Sequence, residues 1–371
     1  MKICGAARIG NRTKHLVRKL LPGDIAVIRH RDIDEVAALS LIDCRVGAVI
    51  NIDSSITGNY PNNGPLKLWE AKIWHLDQVG EKILGEIKDG DILVIRDDSI
   101  WRGKKKLARG RIVSSSLIRK KTAEAENNLD KLLDSFVQNT LEYALREKEL
   151  ILGGVELPVL ETDFRDRHAL IVVRGRSYRE DLRAIRNYIR DVKPVLVAVD
   201  GGADALLEYG YRPDLVVGDM DSVSDRGLCK AKELVVHAYP DGRAPGLERI
   251  KSLGLPAKIM RAPGTSEDIA MLLAYEYGAA LIAAVGTHSS MIDFLEKGRK
   301  GMASTFLVRL KVGWKLVDAR GVSRLYRGKF SPLYLLVITL SAALCALVLA
   351  VINPTVGHVF RLLVMRLRLF M

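Results

Sequence analysis

From residue 169 onward the chain repeats one pattern, a short apolar run followed in most cases by a stretch of helical length. The runs are 170–173 (LIVV), 195–199 (VLVAV), 215–217 (LVV), 234–236 (LVV), 258–260 (KIM) and 281–285 (LIAAV). Strands that are apolar on both faces and alternate with helices make a parallel α/β sheet, doubly wound. In such sheets ligands bind beyond the carboxyl ends of the strands. The residues that follow each run are therefore the first place to look for chemistry.

After 195–199 comes Asp200-Gly201-Gly202-Ala203, where glycines allow backbone N–H groups to approach a phosphate. After 215–217 comes Gly218-Asp219-Met220-Asp221-Ser222. In an extended chain residues i and i+2 point the same way, so Asp219 and Asp221 can bracket one hard cation such as Mg²⁺. These two aspartates are the candidate metal ligands and catalytic residues. After 281–285 comes Gly286-Thr287-His288-Ser289-Ser290, small and polar. Both aspartate loops also have plain readings, the first as a structural turn and the second as a solvated turn closed by an Asx bond. Thr265-Ser266-Glu267-Asp268 fits a helix start in which Asp268 caps, or a ligand contact by Thr265, Ser266 and Asp268. Asp293 can join from a neighbouring strand end.

Residues 1–120 read as a small α/β domain. The runs 25–28 (IAVI), 47–50 (GAVI) and 92–95 (ILVI) are strand-like, and 32–45 between the first two has helical spacing, with Val36, Leu39 and Ile42 on one face. The loop 51–65, NIDSSITGNYPNNGP, is either a binding loop at a strand end or an irregular connection. The segment 101–111, WRGKKKLARGR, is either an anion-binding patch or a solvated hairpin tip. Residues 121–152 form a linker helix, clearest over 122–150, with Leu129, Leu133, Phe136, Thr140 and Ala144 on one face. That helix could also pair with a second copy, making a homodimer. The α/β sheet domain then occupies 153–330.

The formal net charge of +13 favours an anionic partner, phosphate, nucleic acid or acidic lipid. No aromatic ladder accompanies the basic residues, so nothing favours nucleic acid. Cys4, Cys44, Cys229 and Cys345 stand far apart with no C-x-x-C pair, as expected of reduced thiols, and the scattered histidines give no zinc spacing. The run 333–352, LYLLVITLSAALCALVLAVI, holds no charge. Its length predicts one C-terminal transmembrane helix over 331–353, followed by a basic tail over 354–371. The basic residues flanking the run are nearly balanced, and the N-terminus lacks the apolar core of a signal peptide, so residues 1–330 are expected in the cytoplasm.

Residues 198–225, AVDGGADALLEYGYRPDLVVGDMDSVSD, resemble the nucleotide-binding half of thiamine pyrophosphokinases, with a D-G-G-A turn, a P-D stretch and a G-D-x-D-S loop. Residues 265–279, TSEDIAMLLAYEYGA, resemble that family's T-D-x-E-x-A-L helix. The later G-R-x-D-H element departs: His288 to Phe294 keeps an aspartate, Asp293, without the arginine and histidine. About forty residues between Asp293 and the apolar run leave no room for the family's β-sandwich, although 306–310 (FLVRL) and 314–317 (WKLV) could finish a sheet. The whole layout is similar to the SteA-like proteins of actinobacteria and other Gram-positive bacteria, through LLPGDIAVI (20–28), the S-I-T-G-x-Y-P-N-x-G-P loop (55–65) and the late apolar run. That resemblance implies a cytokinetic-ring protein at the division septum, anchored in the cell membrane and acting in cell separation with a SteB-like membrane partner. It implies ATP or another nucleotide with Mg²⁺, in a scaffold or in a working diphosphokinase. An inert fold kept for assembly is the third expectation.

Overall fold

The computed structural model describes residues 2–10, 13–153, 156–175, 177–288, 290–296, 299, 301–321, 332–352, 358 and 365–366. The chain divides into two compact units, Met1–Ser323 and Arg324–Met371.

The first unit is mixed α/β and holds two sheets. The first sheet comprises β1 (Lys2–Gly10), β2 (Ile25–Ile28), β3 (Ala48–Asn51), β4 (Trp74–Asp77), β5 (Ile92–Arg96), β6 (Ser99–Arg102), β7 (Lys105–Arg109) and β8 (Arg111–Ile112). Their order is β7-β6-β5-β1-β2-β3-β4-β8. The centre, β1 to β4, is parallel, and antiparallel strands flank it on both sides. Period-2 alternation sorts the side chains. Ile25 and Val27 join the cluster with Ala48, Ile50, Leu76 and Ile95, while Ala26 and Ile28 join Leu41, Val49 and Leu68 on the other face. The basic segment 101–111 forms the β6–β7 hairpin and β8.

The second sheet comprises β9 (His168–Val173), β10 (Val195–Val199), β11 (Leu215–Gly218), β12 (Glu233–Ala238), β13 (Lys258–Arg261), β14 (Leu281–Val285) and β15 (Leu316–Asp318). Every pairing in it is parallel, in the order β13-β12-β11-β10-β9-β14-β15. Ile171, Val195, Val197 and Val199 pack against the fully buried helix face Ile269–Ala274, and Leu170, Val172, Leu196 and Ala198 fill the opposite layer. Strand order reverses beside β9. The chain winds outward from β9 to β13, then returns to place β14 on β9's other edge. That switch point opens a crevice at the carboxyl ends of β9 and β14.

Two local expectations change. The helical segment 122–150 is divided into Ser115–Asn127, Leu129–Arg146 and Glu149–Leu152. Phe136, Thr140 and Ala144 are buried as the spacing predicts, but Leu129 and Leu133 are 36% and 46% exposed. FLVRL is no strand. It lies inside the helix Ala303–Val312, whose buried residues Ser304, Leu307 and Val308 recur at helical spacing.

The membrane span is corrected. The second unit holds a helix, Pro332–Ile352, where the sequence predicts a crossing. Among the described residues no helix is long and apolar enough to cross a membrane. The transmembrane element of the expected fold and the single-pass cell-membrane location therefore lack support. The basic tail 354–371 lies largely outside the described residues.

Candidate functional site

A cavity of about 710 Å³ opens at the carboxyl ends of the second sheet. Of the residues singled out from sequence, Asp200, Gly201, Asp219, Ser222, Thr265, Ser266 and Asp293 line it. Gly202, Gly218, Asp221, Asp268, Gly286 and Thr287 do not.

The glycines outside the lining have structural tasks. A Cβ on Gly218 would sit 1.9 Å from Asp200 Oδ1, one on Gly202 would sit 2.0 Å from Val172 O, and one on Gly286 would sit 2.1 Å from Val173 O. Each therefore permits a close approach that any side chain would block. At the switch point Gly175 lies equally close to Gly286 O, at 1.9 Å for a built Cβ, so the loops after β9 and β14 touch backbone to backbone.

Asp200 adopts a left-handed conformation, φ 46°, and its Oδ1 accepts from Met220 N at 3.0 Å. That bond locks the D-G-G turn to the G-D-x-D-S loop. Asp219 Oδ1 accepts from Asp221 N at 3.0 Å, the Asx closure expected of a turn. Asp219 is exposed to the cavity, whereas Asp221 is half-buried and outside the lining. Of the three loop aspartates, Asp200 and Asp219 line the cavity, together with the carboxylates of Asp34, Glu267, Asp293 and Glu296. Among the described residues no group of three or more His, Cys, Asp or Glu is placed to hold a metal ion. Mg²⁺ that keeps waters and binds ligand phosphates needs only one or two carboxylates, a demand that Asp219, exposed at the cavity, and Asp200 beside it can meet.

Asp268 is a cap. Its Oδ2 accepts from Thr265 N at 3.1 Å while Thr265 Oγ1 accepts from Asp268 N at 3.2 Å. Ser304 and Thr305 hydroxyls donate to the same carboxylate at 2.8 Å each, tying the helix Ala303–Val312 to the start of Ser266–Glu276. Burial pushes its carboxyl above the ordinary range, against the pull of these donors. Asp293 caps its own helix through Ser290 and receives Arg320 Nη1 at 2.7 Å. Burial opposes its ionisation, but Arg320 and Ser290 outweigh it and hold the carboxyl at about 2.

Other lining residues complete the cavity, and of the histidines among them the sequence marks only His288, as part of the loop after 281–285. Arg174 follows β9 and packs over the Gly201 turn. His237 donates from Nε2 to Ala262 O at 3.0 Å and accepts at Nδ1 from Ser266 Oγ at 3.2 Å. Burial lowers its pKa, so it faces the cavity neutral. His288 Nδ1 donates to Glu267 Oε1 at 2.5 Å, and its backbone N–H binds the other oxygen of that carboxylate at 2.9 Å. The opposite wall comes from the first sheet, through Thr13, Val17, Arg29, His30, Asp34 and Val36. Strand-end logic finds Arg174, which directly follows an apolar run. No signal inside 1–120 marks that segment as part of this cavity, because the contact is tertiary.

Three solved structures are similar to parts of the chain. They are a 3-isopropylmalate dehydratase from Methanocaldococcus jannaschii (17% identity, 35% of this chain and 95% of that chain, TM-score 0.22), the thiamine pyrophosphokinase from Bacillus subtilis (20%, 41% and 60%, 0.25) and a protein described as a probable thiamine pyrophosphokinase from Staphylococcus saprophyticus (17%, 41% and 65%, 0.23). The chain spans less than two thirds of either pyrophosphokinase. Overlaps of this size leave fold and activity to be argued from the chain's own residues. No curated protein matches the chain. A family model described as the SteA-like C-terminal domain matches residues 320–371.

Proposed function

We propose that the chain is a nucleotide- or phosphate-binding scaffold of the SteA type that acts in cell separation with a SteB-like partner. The SteA-like match at residues 320–371 supports the family part of this reading. The observation behind the binding part is a single cavity of about 710 Å³ in which Arg174, the Gly201 turn and the carboxylates of Asp200 and Asp219 meet at strand carboxyl ends. A guanidinium and a glycine turn suit phosphate oxygens, and the two carboxylates suit the Mg²⁺ that accompanies them. When bound, Mg²⁺ would neutralise phosphate charge. Asp200 would hold the two loops together through its bond to Met220 N, and Asp219 would face the ion. A working diphosphokinase is the second reading, favoured by the same carboxylate pair beside Arg174.

A melting screen of the full chain with Mg²⁺ and pyrophosphate, ADP, ATP or thiamine tests this. A ligand at 100 times its Kd stabilises by about 2.7 kcal/mol, a shift of a few degrees. Asp219→Asn is expected to abolish the Mg²⁺-dependent part of that shift. No shift with any phosphate ligand would leave the inert-scaffold reading standing. Sustained Mg²⁺-dependent transfer from ATP to thiamine would make the protein an enzyme.

A further inference from the structure

We propose that the ligand of this cavity is a phosphate ester with a hydroxylated organic end, such as a nucleotide or sugar phosphate, and that the first sheet recognises that end through His30. This rests on the reading above, in which the second sheet's wall takes the phosphates.

The cavity is far larger than a phosphate group and falls within the ~300–1,000 Å³ typical of sites for whole organic ligands. Its two walls differ in chemistry. The second sheet supplies Arg174, a glycine turn and carboxylates. The first sheet supplies the side chains of Thr13, His30 and Asp34 beside the apolar Val17, Val36 and Ala37, and its lining guanidinium, Arg29, is paired with Glu81 at 2.6 Å. An apolar strip edged by a hydroxyl, an imidazole and a carboxylate suits a ring or sugar carrying hydroxyl groups, with donors and acceptors at its rim.

His30 is held at its backbone and at one ring nitrogen. Its backbone N–H donates to Asn51 Oδ1 at 3.0 Å, and its carbonyl accepts from Asn51 Nδ2 at 2.7 Å. Asn51 ends β3 and is fully buried, so a rigid strand fixes the backbone of a cavity residue. The imidazole Nδ1 meets Thr13 Oγ1 at 3.1 Å, while Nε2 lies 3.4 Å from Asp34 Oδ2 without a hydrogen bond between them, so the Nε2 proton can turn to a ligand hydroxyl. The carboxylate favours the Nε2–H tautomer, so Nδ1 is assigned as acceptor from the Thr13 hydroxyl. Asp34 divides its oxygens, because Oδ1 accepts from Ala37 N at 2.6 Å and caps the helix Glu35–Asp43. A side chain fixed at backbone and ring is prepared to discriminate, since little of its freedom is lost on binding. The walls are also joined directly. Arg18 Nη2 donates to Ser222 O at 2.8 Å, so the first sheet grips the G-D-x-D-S loop itself.

Calorimetric titration of the full chain with Mg²⁺ and either pyrophosphate or ADP tests the proposal, because pyrophosphate can reach one wall and ADP both. Wild type is expected to bind both, ADP more tightly. His30→Ala should weaken ADP about tenfold, as for one good hydrogen bond, and leave pyrophosphate within about twofold. Asp34→Asn, which still caps because Asn caps as well as Asp, should shift the ratio the same way by less. Arg174→Ala should weaken both ligands. If both first-sheet variants leave the ADP-to-pyrophosphate ratio unchanged while Arg174→Ala weakens both, the phosphate site stands and recognition by His30 is wrong. Recognition by His30 is equally wrong if wild type binds pyrophosphate and excludes ADP. If wild type binds neither probe, the reading of the cavity itself fails.

Discussion

A fully buried imidazole is costly to protonate, and His75 is such a group. It is 3% exposed, its Nε2 meets Ser55 Oγ at 2.8 Å, and its Nδ1 is buried without a hydrogen-bond partner. Burial pulls its pKa down to about 4, with Asp77 acting weakly the other way. In the unfolded chain the value is about 6.5. Between those values the unfolded state binds more protons, so the stability contributed above pH ~6.5 is lost as pH falls through ~4, about 3 kcal/mol in all. Asp293 acts in a lower window, because its folded value of about 2 lies below the ~3.9 of an unfolded aspartate. Its contribution is present above pH ~4 and fades as pH drops toward 2. Urea midpoints at pH 7.5 and 4 bracket the first group, and midpoints at pH 4 and 2 bracket the second. His75→Gln, which keeps a hydrogen-bonding side chain without the titration, should flatten the decline between pH 7.5 and 4 and leave the lower window intact. An unchanged slope in the upper window would place the titrating group elsewhere.

Single elements show where pattern reading works and where it stops. The helix Leu129–Arg146 buries Phe136, Thr140 and Ala144, and Thr140 Oγ1 accepts from Met302 N at 3.1 Å just before the helix Ala303–Val312 begins. Phe136 is 5% exposed and its ring lies 6.4 Å from that of Phe294. Phe136→Ala should therefore cost about 3–5 kcal/mol in urea unfolding, while Leu133→Ala on the open side should change stability by about 0.5 kcal/mol or less. Equal costs would mean that the face is drawn wrongly. The buried half of this helix is legible in the sequence because its i, i+4 spacing is regular. β1 is not, although it is a central strand: KICGAARIG shows no alternation, and its Gly5 is needed where a Cβ would lie 2.5 Å from Gly23 O. FLVRL misleads for another reason, since five apolar-rich residues fit a buried strand and a buried helix alike. At the site, the D-G-G and G-D-x-D-S turns stand out because glycine and aspartate are the residues such turns require. The locking of one turn to the other is hidden, because it depends on Asp200's φ of 46° and its bond to Met220 N.

At the scale of the first unit, two sheets of different topology are joined around one cavity, and two of the polar contacts that join them reach across from arginines. Arg18 reaches Ser222 O at 2.8 Å, and Arg179 reaches Asp43 at 2.6 Å across the same boundary. Arg179 and Asp43 are 39% and 55% exposed, so their pair contributes at most about 1 kcal/mol. Pairs this exposed open more readily than either core, where strands such as β2 and β10 are buried along their whole length. A ligand that touches both walls should then slow exchange in both. Hydrogen exchange of the full chain with Mg²⁺ and ADP is expected to protect amides around 29–34 and 219–222 together, and pyrophosphate only the second group. Arg18→Ala should loosen that coupling, so that ADP still protects 219–222 while protection around 29–34 falls. Protection by ADP confined to residues 174–293 in the wild type would mean that the second sheet binds alone, and that the first sheet shapes the cavity without reading what fills it.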